Sequence, residues 1–247
     1  MLHSLPLHRF NESIVLPAAD IERIQAMGEP PMRLARHAVL RREGEPPRFI
    51  YLLIEGWVAS SVLLPGGDRQ ITKFHLPGDL LGTPSMCLER TADTLTALTP
   101  ASVSRVSLAS FGELFQRSPS FAAAMLLSIQ RERVALMDRL AAVGRTPALA
   151  RVSALLLDLA ERLGALSGGT IDEFELPVTQ EQIGDHLGLT AVHVNRVFRQ
   201  LVDTGLIRRN RQRVTLLDRQ RLRSVSARQE REPAKDVSWL VGGQAGA

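Results

Sequence analysis

A long helical repeat between Ala122 and Val143 divides the chain into two unlike parts. Ser118 and Pro119 supply a cap and a first-turn proline, and apolar residues then recur at alternating intervals of four and three. About three heptads of this kind predict a helix that pairs with a second copy of itself. The alternative is an amphipathic helix that lies on its own N-terminal domain. The repeat positions are Ala122, Leu126, Ile129, Arg133, Leu136, Leu140 and Val143, with Arg133 as the polar exception.

The residues before this repeat predict short strands and tight turns. From about residue 10 to residue 108, apolar runs such as residues 49–54 alternate with turn clusters such as residues 65–68. Many short strands with regular Gly and Pro punctuation are typical of a sandwich or barrel. We therefore expect an α+β chain in which residues 1–117 form an antiparallel β-roll and residues 118–144 form the long helix.

A segment that begins at Thr179 follows the pattern of a helix-turn-helix. Thr179 and Gln182 fit a capping box. Gly184 is small where two helices must cross closely, and Gly188 stands where the turn needs a positive φ. An ordinary helical hairpin would not require these residue types in this order.

A second helix is predicted to begin after Thr190. Val194 and Val197 would face the core of this helical domain. In a helix-turn-helix that binds DNA, this helix enters the major groove. The residues left off its buried face are Ala191, Val192, His193, Asn195, Arg196 and Arg199.

The charge around this segment favours a polyanionic partner. Between His186 and Arg223 the chain has nine arginines and two acids, Asp203 and Asp218. That stretch carries +7, whereas the whole chain carries only +4. A local basic excess of this size is typical of a nucleic-acid surface. The arginines are Arg196, Arg199, Arg208, Arg209, Arg211, Arg213, Arg219, Arg221 and Arg223.

Individual basic residues have different predicted roles. Arg196 can bond guanine O6 and N7 bidentately, and Asn195 could read adenine or reach a phosphate. Residues 206–216 predict a hairpin, or wing, whose basic tip contacts phosphate. The wing residues in question are Arg208, Arg209 and Arg211, and the alternative for each is a solvated surface charge.

Glycine and proline residues predict the remaining boundaries between helices and domains. Gly144 is expected to end the long helix, and Thr146 with Pro147 to cap the next one. Residues 145–227 would then form a winged helix-turn-helix domain. Residues 228–247 are expected to form a flexible tail.

Composition excludes several classes of protein. The lone Cys87 excludes a disulfide framework, a four-cysteine zinc site and an all-cysteine iron–sulfur cluster. The N-terminus has no apolar segment of signal-peptide length, and no run of about 18 apolar residues occurs. We therefore expect a cytoplasmic protein.

These features together resemble the Crp/Fnr family of bacterial transcription regulators. The resemblance covers roughly residues 10–220 and is strongest over residues 176–207, with support from GWV at 56–58 and PGDLLG at 77–82. It implies a cyclic-nucleotide-type β-roll, a homodimer on palindromic double-stranded DNA, and RNA polymerase as a partner. The effector is not evident, and no cofactor is assigned.

The chain departs from the cyclic-AMP-binding pattern of that family. Those members place a Glu after the glycine that corresponds to Gly82, where this chain has Thr83. Those members also bind the cyclic phosphate through an Arg-Ser/Thr pair. Arg90-Thr91 has these residue types, but it lies closer to Gly82 along the sequence than the pair does in those members. Gly82, Thr83, Arg90 and Thr91 are therefore a possible effector pocket that is not expected to take cyclic AMP.

The alternatives within the same family are a cyclic-nucleotide-responsive and a haem-responsive regulator. Oxygen-sensing members hold an iron–sulfur cluster through several N-terminal cysteines, which this chain lacks. Haem-binding members need an axial ligand, which His75, Met86 or Cys87 could offer. A lone histidine beside an apolar run is more often structural.

The helix predicted to begin after Thr190, which would be the recognition helix, also differs in sequence from that of many family members. Many members carry Glu four residues before the arginine that matches Arg196, and here that residue is Val192. Valine cannot accept a hydrogen bond from cytosine N4, but it could contact a thymine methyl.

Two other kinds of protein remain as alternatives. A cupin-like metalloenzyme needs clustered metal ligands, and the roll offers only His37 and His75 without the needed spacing. An interaction module without a DNA role would not need the helix-turn-helix. We assign no catalytic residue and no metal ligand.

Overall fold

The computed structural model describes residues 6, 14–226, 228, 229, 231, 234 and 236–240. In chain order this part forms a strand-rich domain, one long helix and a mainly helical domain. The predicted α+β architecture is confirmed. Most of the predicted flexible tail, residues 228–247, lies outside the described residues.

The N-terminal domain is a β-roll of two sheets with antiparallel pairing throughout. The first sheet has the strand order β1-β8-β3-β6 and the second β2-β7-β4-β5 when the strands are numbered along the chain. The strands are β1 (Met32–Leu34), β2 (Val39–Arg41), β3 (Phe49–Glu55), β4 (Val58–Leu63), β5 (Arg69–His75), β6 (Leu80–Leu81), β7 (Thr94–Ala97) and β8 (Ala101–Ser107).

Strand β3 is apolar on both faces because both faces are covered. Ile50 and Leu52 pack against helices outside the roll. Tyr51 and Leu53 lie in the apolar cluster inside it. The continuous apolar run from which this strand is predicted therefore reflects two cores rather than one.

The prediction of strands from about residue 10 onward is wrong for the first part of the chain. Helix α1 spans Ala18–Met27, and a second helix, α2, spans Leu108–Arg117 after the last strand. Ile24 of α1 is fully buried in the cluster that contains Phe111 of α2. The helix α1 is stabilised by this long-range packing, which no local pattern reports. A 3₁₀ helix also spans Thr83–Cys87.

The long helix α3 spans Pro119–Arg145. Its predicted cap is confirmed, because the Ser118 hydroxyl accepts a hydrogen bond from the amide of Phe121 at 3.0 Å. The predicted end at Gly144 is one residue early. Thr146 does not cap the next helix; its hydroxyl donates back to the carbonyl of Ala142 at 2.8 Å.

The C-terminal domain packs four helices and a small sheet around one apolar core. Strand β9 was not predicted; it completes a sheet with the order β10-β11-β9. The elements are α4 (Ala148–Leu166), β9 (Glu173–Glu175), α5 (Gln180–Leu187), α6 (Ala191–Asp203), β10 (Ile207–Asn210), β11 (Arg213–Leu216) and α7 (Arg219–Ser226). A short 3₁₀ helix, Ser238–Leu240, follows further along the chain.

The two domains meet at strand β5, which lies at one edge of its sheet. An edge strand presents unpaired backbone groups that must be covered or solvated. Side chains of three helices approach this strand. Arg139 of α3 donates to the carbonyl of Thr72, Arg162 of α4 donates to that of Phe74, and the Nδ1 atom of His186 of α5 lies 3.0 Å from that of Ile71.

Arg162 carries a buried charge at this junction. Its guanidinium donates to the Asp79 carboxylate at 2.8 Å and to that of Asp158 at 3.3 Å. Burial alone would lower the pKa of Arg162, but the two carboxylates outweigh it and raise that pKa above its ordinary value. The arginine therefore stays charged and links the roll to the C-terminal domain.

We predict that His186 makes the protein acid-sensitive. Burial, reinforced by Arg139, lowers the pKa of His186 from 6.5 to about 3. The unfolded chain therefore binds a proton that the folded chain rejects between these values. The stabilising contribution is complete above pH 6.5 and is lost as the pH falls toward 3, by about 1.4 kcal/mol per pH unit.

Denaturant unfolding of the His186→Gln variant at about pH 5 and about pH 7.5 tests this prediction. The variant should lose less stability on acidification than the unmodified protein. His193→Gln, which removes a partly exposed imidazole, should keep the original pH dependence. An unchanged pH dependence in His186→Gln would show that His186 is not the group that titrates.

Candidate nucleic-acid interface

Helix α5 begins with a complete capping box. The Thr179 hydroxyl accepts from the amide of Gln182 at 3.1 Å, and the side-chain oxygen of Gln182 accepts from the amide of Thr179 at 2.8 Å. Both bonds satisfy amides that the first turn leaves unpaired. The prediction at this position is confirmed.

The turn between α5 and α6 depends on two glycines. Gly188 has a φ of +65°, in the left-handed region that glycine adopts without strain. A Cβ atom on Gly184 would overlap the carbonyl oxygen of Leu189. Any side chain at Gly184 would therefore push the turn away from α5.

Helix α6 presents a polar and basic face opposite its buried one. The Thr190 hydroxyl caps it by accepting from the amide of His193 at 3.2 Å. Val192 is 81% exposed, whereas Val194 is fully buried. Arg196 and Arg199 are exposed, and Ala191, His193 and Asn195 are partly exposed.

Asn195 connects the two helices of the motif. Its side-chain amide donates to the side-chain oxygen of Gln180, at the first turn of α5, at 3.1 Å. Sequence reasoning assigned Asn195 to DNA and did not find Gln180 as its partner. A spacing of fifteen residues carries no local signal for such a contact.

The wing is a hairpin of β10 and β11, as predicted. Asn210 pairs with Arg213, and Arg211 in the intervening turn has a φ of +53°. Arg208 and Arg211 are exposed. Arg211 therefore places positive charge at the tip of the hairpin, and Arg208 places it on strand β10.

Arg209 lies at the joint between the wing and α6. Its guanidinium stands over the ring of Phe198, 4.4 Å from the centroid, in a cation–π contact. Its Nε–H also donates to the carbonyl of Arg211 at 3.3 Å. Burial lowers the pKa of Arg209. These contacts hold the wing against α6.

Some basic residues of this domain are compensated by carboxylates. Arg213 pairs with Glu173 at 3.3 Å, and Arg219 pairs with Asp172 at 3.0 Å. Four exposed arginines on α6 and the wing make no ion pair with any residue that the structure describes. They are Arg196, Arg199, Arg208 and Arg211.

The seam of α3 is an exposed apolar face in the single chain. Leu126 and Ile129 are 42% and 41% exposed, and Leu140 is 78% exposed. Arg133 is also exposed, and Ala122 is partly buried. Leu136 and Val143 complete the face at 48% and 47%. The helix does not bury this face on its own roll.

Two of the possible effector residues, Arg90 and Thr91, are hydrogen-bonded to backbone carbonyls of the roll. Gly82 has a φ of +83° and precedes Thr83 at the start of the 3₁₀ helix. Arg90 is exposed and donates to the carbonyl of Gly44 at 2.9 Å. The Thr91 hydroxyl donates to the carbonyl of Arg42 at 2.7 Å. Arg90 and Thr91 thus hold the segment between β2 and β3.

A buried arginine that sequence reasoning missed stands beside Gly82. Arg41 is 4% exposed and forms an ion pair with Asp93. A Cβ atom on Gly82 would overlap its guanidinium. Ser85 lies 3.4 Å from the same guanidinium. The roll therefore holds a charged group of its own beside this glycine.

The histidines of the roll show structural contacts. His75 is buried, and its Nε2 atom lies 2.7 Å from the hydroxyl of Ser60. His37 has a φ of +68° in a turn. Within the described part of the chain, no group of three or more His, Cys, Asp or Glu side chains forms a metal-binding arrangement.

Comparison with protein families matches both domains. A model described as a cyclic nucleotide-binding domain matches residues 31–118, and one described as a Crp-like helix-turn-helix domain matches residues 150–225. The chain is 30% identical to the transcriptional regulatory protein btr of Bordetella pertussis, over 82% of this chain and 84% of that protein. It is 32% identical to the nitrogen fixation regulation protein FixK of Bradyrhizobium diazoefficiens, over 86% and 88%.

The chain belongs to the Crp/Fnr family. Crp/Fnr proteins are DNA-binding transcription regulators that act as dimers. This member is accordingly a transcription regulator and not an enzyme. No described helix has the length and apolar character needed to cross a membrane.

Solved Crp/Fnr structures share the fold. FixK2 from Bradyrhizobium japonicum superposes with a TM-score of 0.73 at 28% identity, covering 81% of this chain and 98% of that one. A CooA variant from Carboxydothermus hydrogenoformans gives a TM-score of 0.65 at 18% identity, covering 80% and 88%. The second likeness concerns the fold alone.

We predict that Leu136→Asp converts the dimer of this Crp/Fnr protein to monomers. A carboxylate in each copy of the seam would be buried without a partner, so dimer affinity should fall by at least about a hundredfold. Sedimentation velocity measures the change. Leu88→Asp is the matched control, because Leu88 is 45% exposed but lies outside α3, while Leu136 is 48% exposed. A dimer that survives Leu136→Asp would contradict the seam.

We also predict that cyclic AMP binds weakly or not at all. Thr83 cannot offer a carboxylate to ribose hydroxyls, and Arg41 is already paired with Asp93. Calorimetric titration should give a dissociation constant no tighter than millimolar, and Thr83→Glu should tighten it. A micromolar constant for the unmodified protein would contradict the prediction.

Proposed function

We propose that this regulator binds a palindromic site on double-stranded DNA as a homodimer and inserts one copy of α6 into the major groove of each half-site. The observation that carries the proposal is the exposed face of α6, where Val192 and Arg196 stand beside the basic wing. Two recognition helices related by a two-fold axis match the symmetry of a palindrome. The seam of α3 supplies the contact between the copies.

Different residues would read bases and bind the backbone. Arg196 has the fork geometry needed for guanine, and Val192 offers only a methyl contact. Arg208 on β10 and Arg211 at the wing tip would bind phosphates. Arg209, which stands over Phe198, would orient the wing rather than reach the DNA. Asn195, tied to Gln180, would fix α5 against α6, and Arg199 would bind the backbone farther along α6.

The caps of both helices fit the same proposal. Thr179 and Thr190 each begin a helix, and a helix N-terminus favours a nearby phosphate. Ala191 and His193 lie in the first turn of α6, which enters the groove first. When bound to DNA, the regulator would contact RNA polymerase. It would act in the cytoplasm, where the chromosome lies.

The β-roll would serve as the sensor of a ligand other than cyclic AMP. Gly82 and Thr83 retain the position of the family's pocket, but Arg90 and Thr91 are engaged with the β2–β3 segment. The Arg41–Asp93 pair supplies a charge balance that needs no nucleotide. Selection from random duplex DNA, with and without a small-molecule cell extract, tests the operator and effector dependence together.

We predict that Arg196→Ala and Arg211→Ala weaken binding in different ways. Loss of a bidentate guanine contact should cost about 1–3 kcal/mol per half-site and relax preference at one base pair. Loss of a phosphate contact should weaken selected and random DNA alike, and should make the salt dependence shallower by about two for a dimer. Fluorescence anisotropy at several salt concentrations measures both.

Equal losses on selected and random DNA for Arg196→Ala would contradict its role in reading bases. Loss of preference at one base pair in Arg211→Ala would contradict phosphate binding by the wing. Either result leaves α6 in the groove and changes only which side chain is assigned to a base.

A further inference from the structure

A cleft of about 970 Å³ lies between the long helix and the C-terminal domain. Its walls come from α3, α4, the end of α5 and the residues after α7. Its volume falls in the range of small-molecule sites in proteins. No part of the proposed DNA contact uses it.

Most residues of α3 that line the cleft lie on the side of the helix away from the seam. Successive helical residues turn by about 100°, so Arg131 and Asp138 point away from Leu136 and Leu140. Both Arg131 and Asp138 line the cleft. Of the seam residues, only Val143 near the end of α3 also lines the cleft, so a second copy packed on the seam would leave the rest of the cleft accessible.

The residues after α7 form the outer wall through specific contacts. Arg228 pairs with Glu161 of α4 at 2.7 Å. Arg231 donates two hydrogen bonds to Asp138 of α3, at 2.9 and 2.6 Å. Val237 lines the cleft and also packs against the apolar cluster beside the roll. These contacts join the C-terminal domain, α3 and the roll around one space.

The lining combines apolar side chains with an excess of positive charge. Leu127, Val134 and Leu155 supply apolar surface. Two aspartates, Asp138 and Asp158, also line the cleft, and both are already paired with arginines. Five arginines line it: Arg131, Arg139, Arg151, Arg228 and Arg231.

Neither Arg139 nor Arg151 forms an ion pair among the described residues. Asp158 and Glu132 attract Arg139 from farther away, but burial outweighs them and lowers the pKa of Arg139. Arg139 donates to the carbonyl of Thr72, and Arg151 donates to that of Leu187 at 2.7 Å. The Nε atom of Arg151 is buried and has no hydrogen-bond partner within the described residues. Charges that are removed from water are ordinarily paired with an opposite charge. An anion bound beside Arg139 and Arg151 would therefore be stabilised by both guanidiniums.

We propose that the cleft binds a small anionic amphipath, with one acidic group on an apolar body. The acidic group meets Arg139 and Arg151, and the apolar body lies along Leu127, Val134 and Leu155. Because Arg151 also holds the carbonyl of Leu187, which ends α5, the ligand contacts both the long helix and the support of the recognition helix. The possible effector residues Gly82, Thr83, Arg90 and Thr91 do not line the cleft, and its existence does not depend on the DNA-binding proposal.

The probe is 1-anilinonaphthalene-8-sulfonate, an anionic dye that fluoresces in apolar sites, titrated into the full-length dimer. We expect one dye per protomer. Ala154→Trp fills the cleft that Ala154 lines and should weaken the dye at least tenfold. Ala165→Trp is the matched control, because Ala165 is an exposed residue of the same helix outside the cleft, and should leave affinity unchanged. Equal affinity in both variants would overturn the site.

The charge requirement is tested with a second pair of variants and an uncharged dye. Arg151→Gln keeps a donor for the Leu187 carbonyl but removes the charge, and should weaken the sulfonate dye several-fold. Arg145→Gln, at an exposed residue outside the cleft, should not. The neutral N-phenyl-1-naphthylamine should bind both variants and the unmodified protein equally. If Arg151→Gln affects neither dye, or affects both alike, the anionic class is wrong; circular dichroism melts confirm that each variant is folded.

Discussion

The edge of strand β5 is the contact on which the arrangement of the whole molecule depends. Three consecutive helices of the chain each send a side chain to its carbonyls, Arg139 from α3, Arg162 from α4 and His186 from α5. An open sheet edge would otherwise pair with another chain or remain solvated. Covering it with helices from the C-terminal half joins the two domains through backbone groups of the roll, which no side-chain substitution in β5 can remove.

The contact between β5 and these helices also determines which helix of the helix-turn-helix is exposed to solvent. Helix α5 is docked on the roll, since Asp185 pairs with Arg69 at 2.6 Å and His186 is buried against Phe74 with ring centroids 4.7 Å apart. Helix α6 packs on α5 and α4 through Val194 and Leu201, and turns its other face to solvent. Helix α5, which supports the recognition helix, is thus bound to the roll. Helix α6, which presents Arg196, is accessible.

Features set by local chemistry could be predicted without the structure. The capping box at Thr179, the positive φ at Gly188 and the cap at Thr190 involve groups within a few residues of one another. The exposed seam of α3 is also a local pattern, because a heptad places its residues on one face of any helix that forms. The comparisons with known proteins agree with the family resemblance drawn from these residues.

The sequence by itself determined the order of the domains, the start of the recognition helix after Thr190, and the basic character of the wing. Only the tertiary structure decided that Arg209 stacks on Phe198, that Asn195 bonds Gln180, and that Arg41 pairs with Asp93 beside Gly82. It also decided that residues 18–27 form a helix, through the burial of Ile24. The physical reason is separation along the chain: caps and heptads join neighbours, whereas these contacts join segments that meet only when the chain has folded.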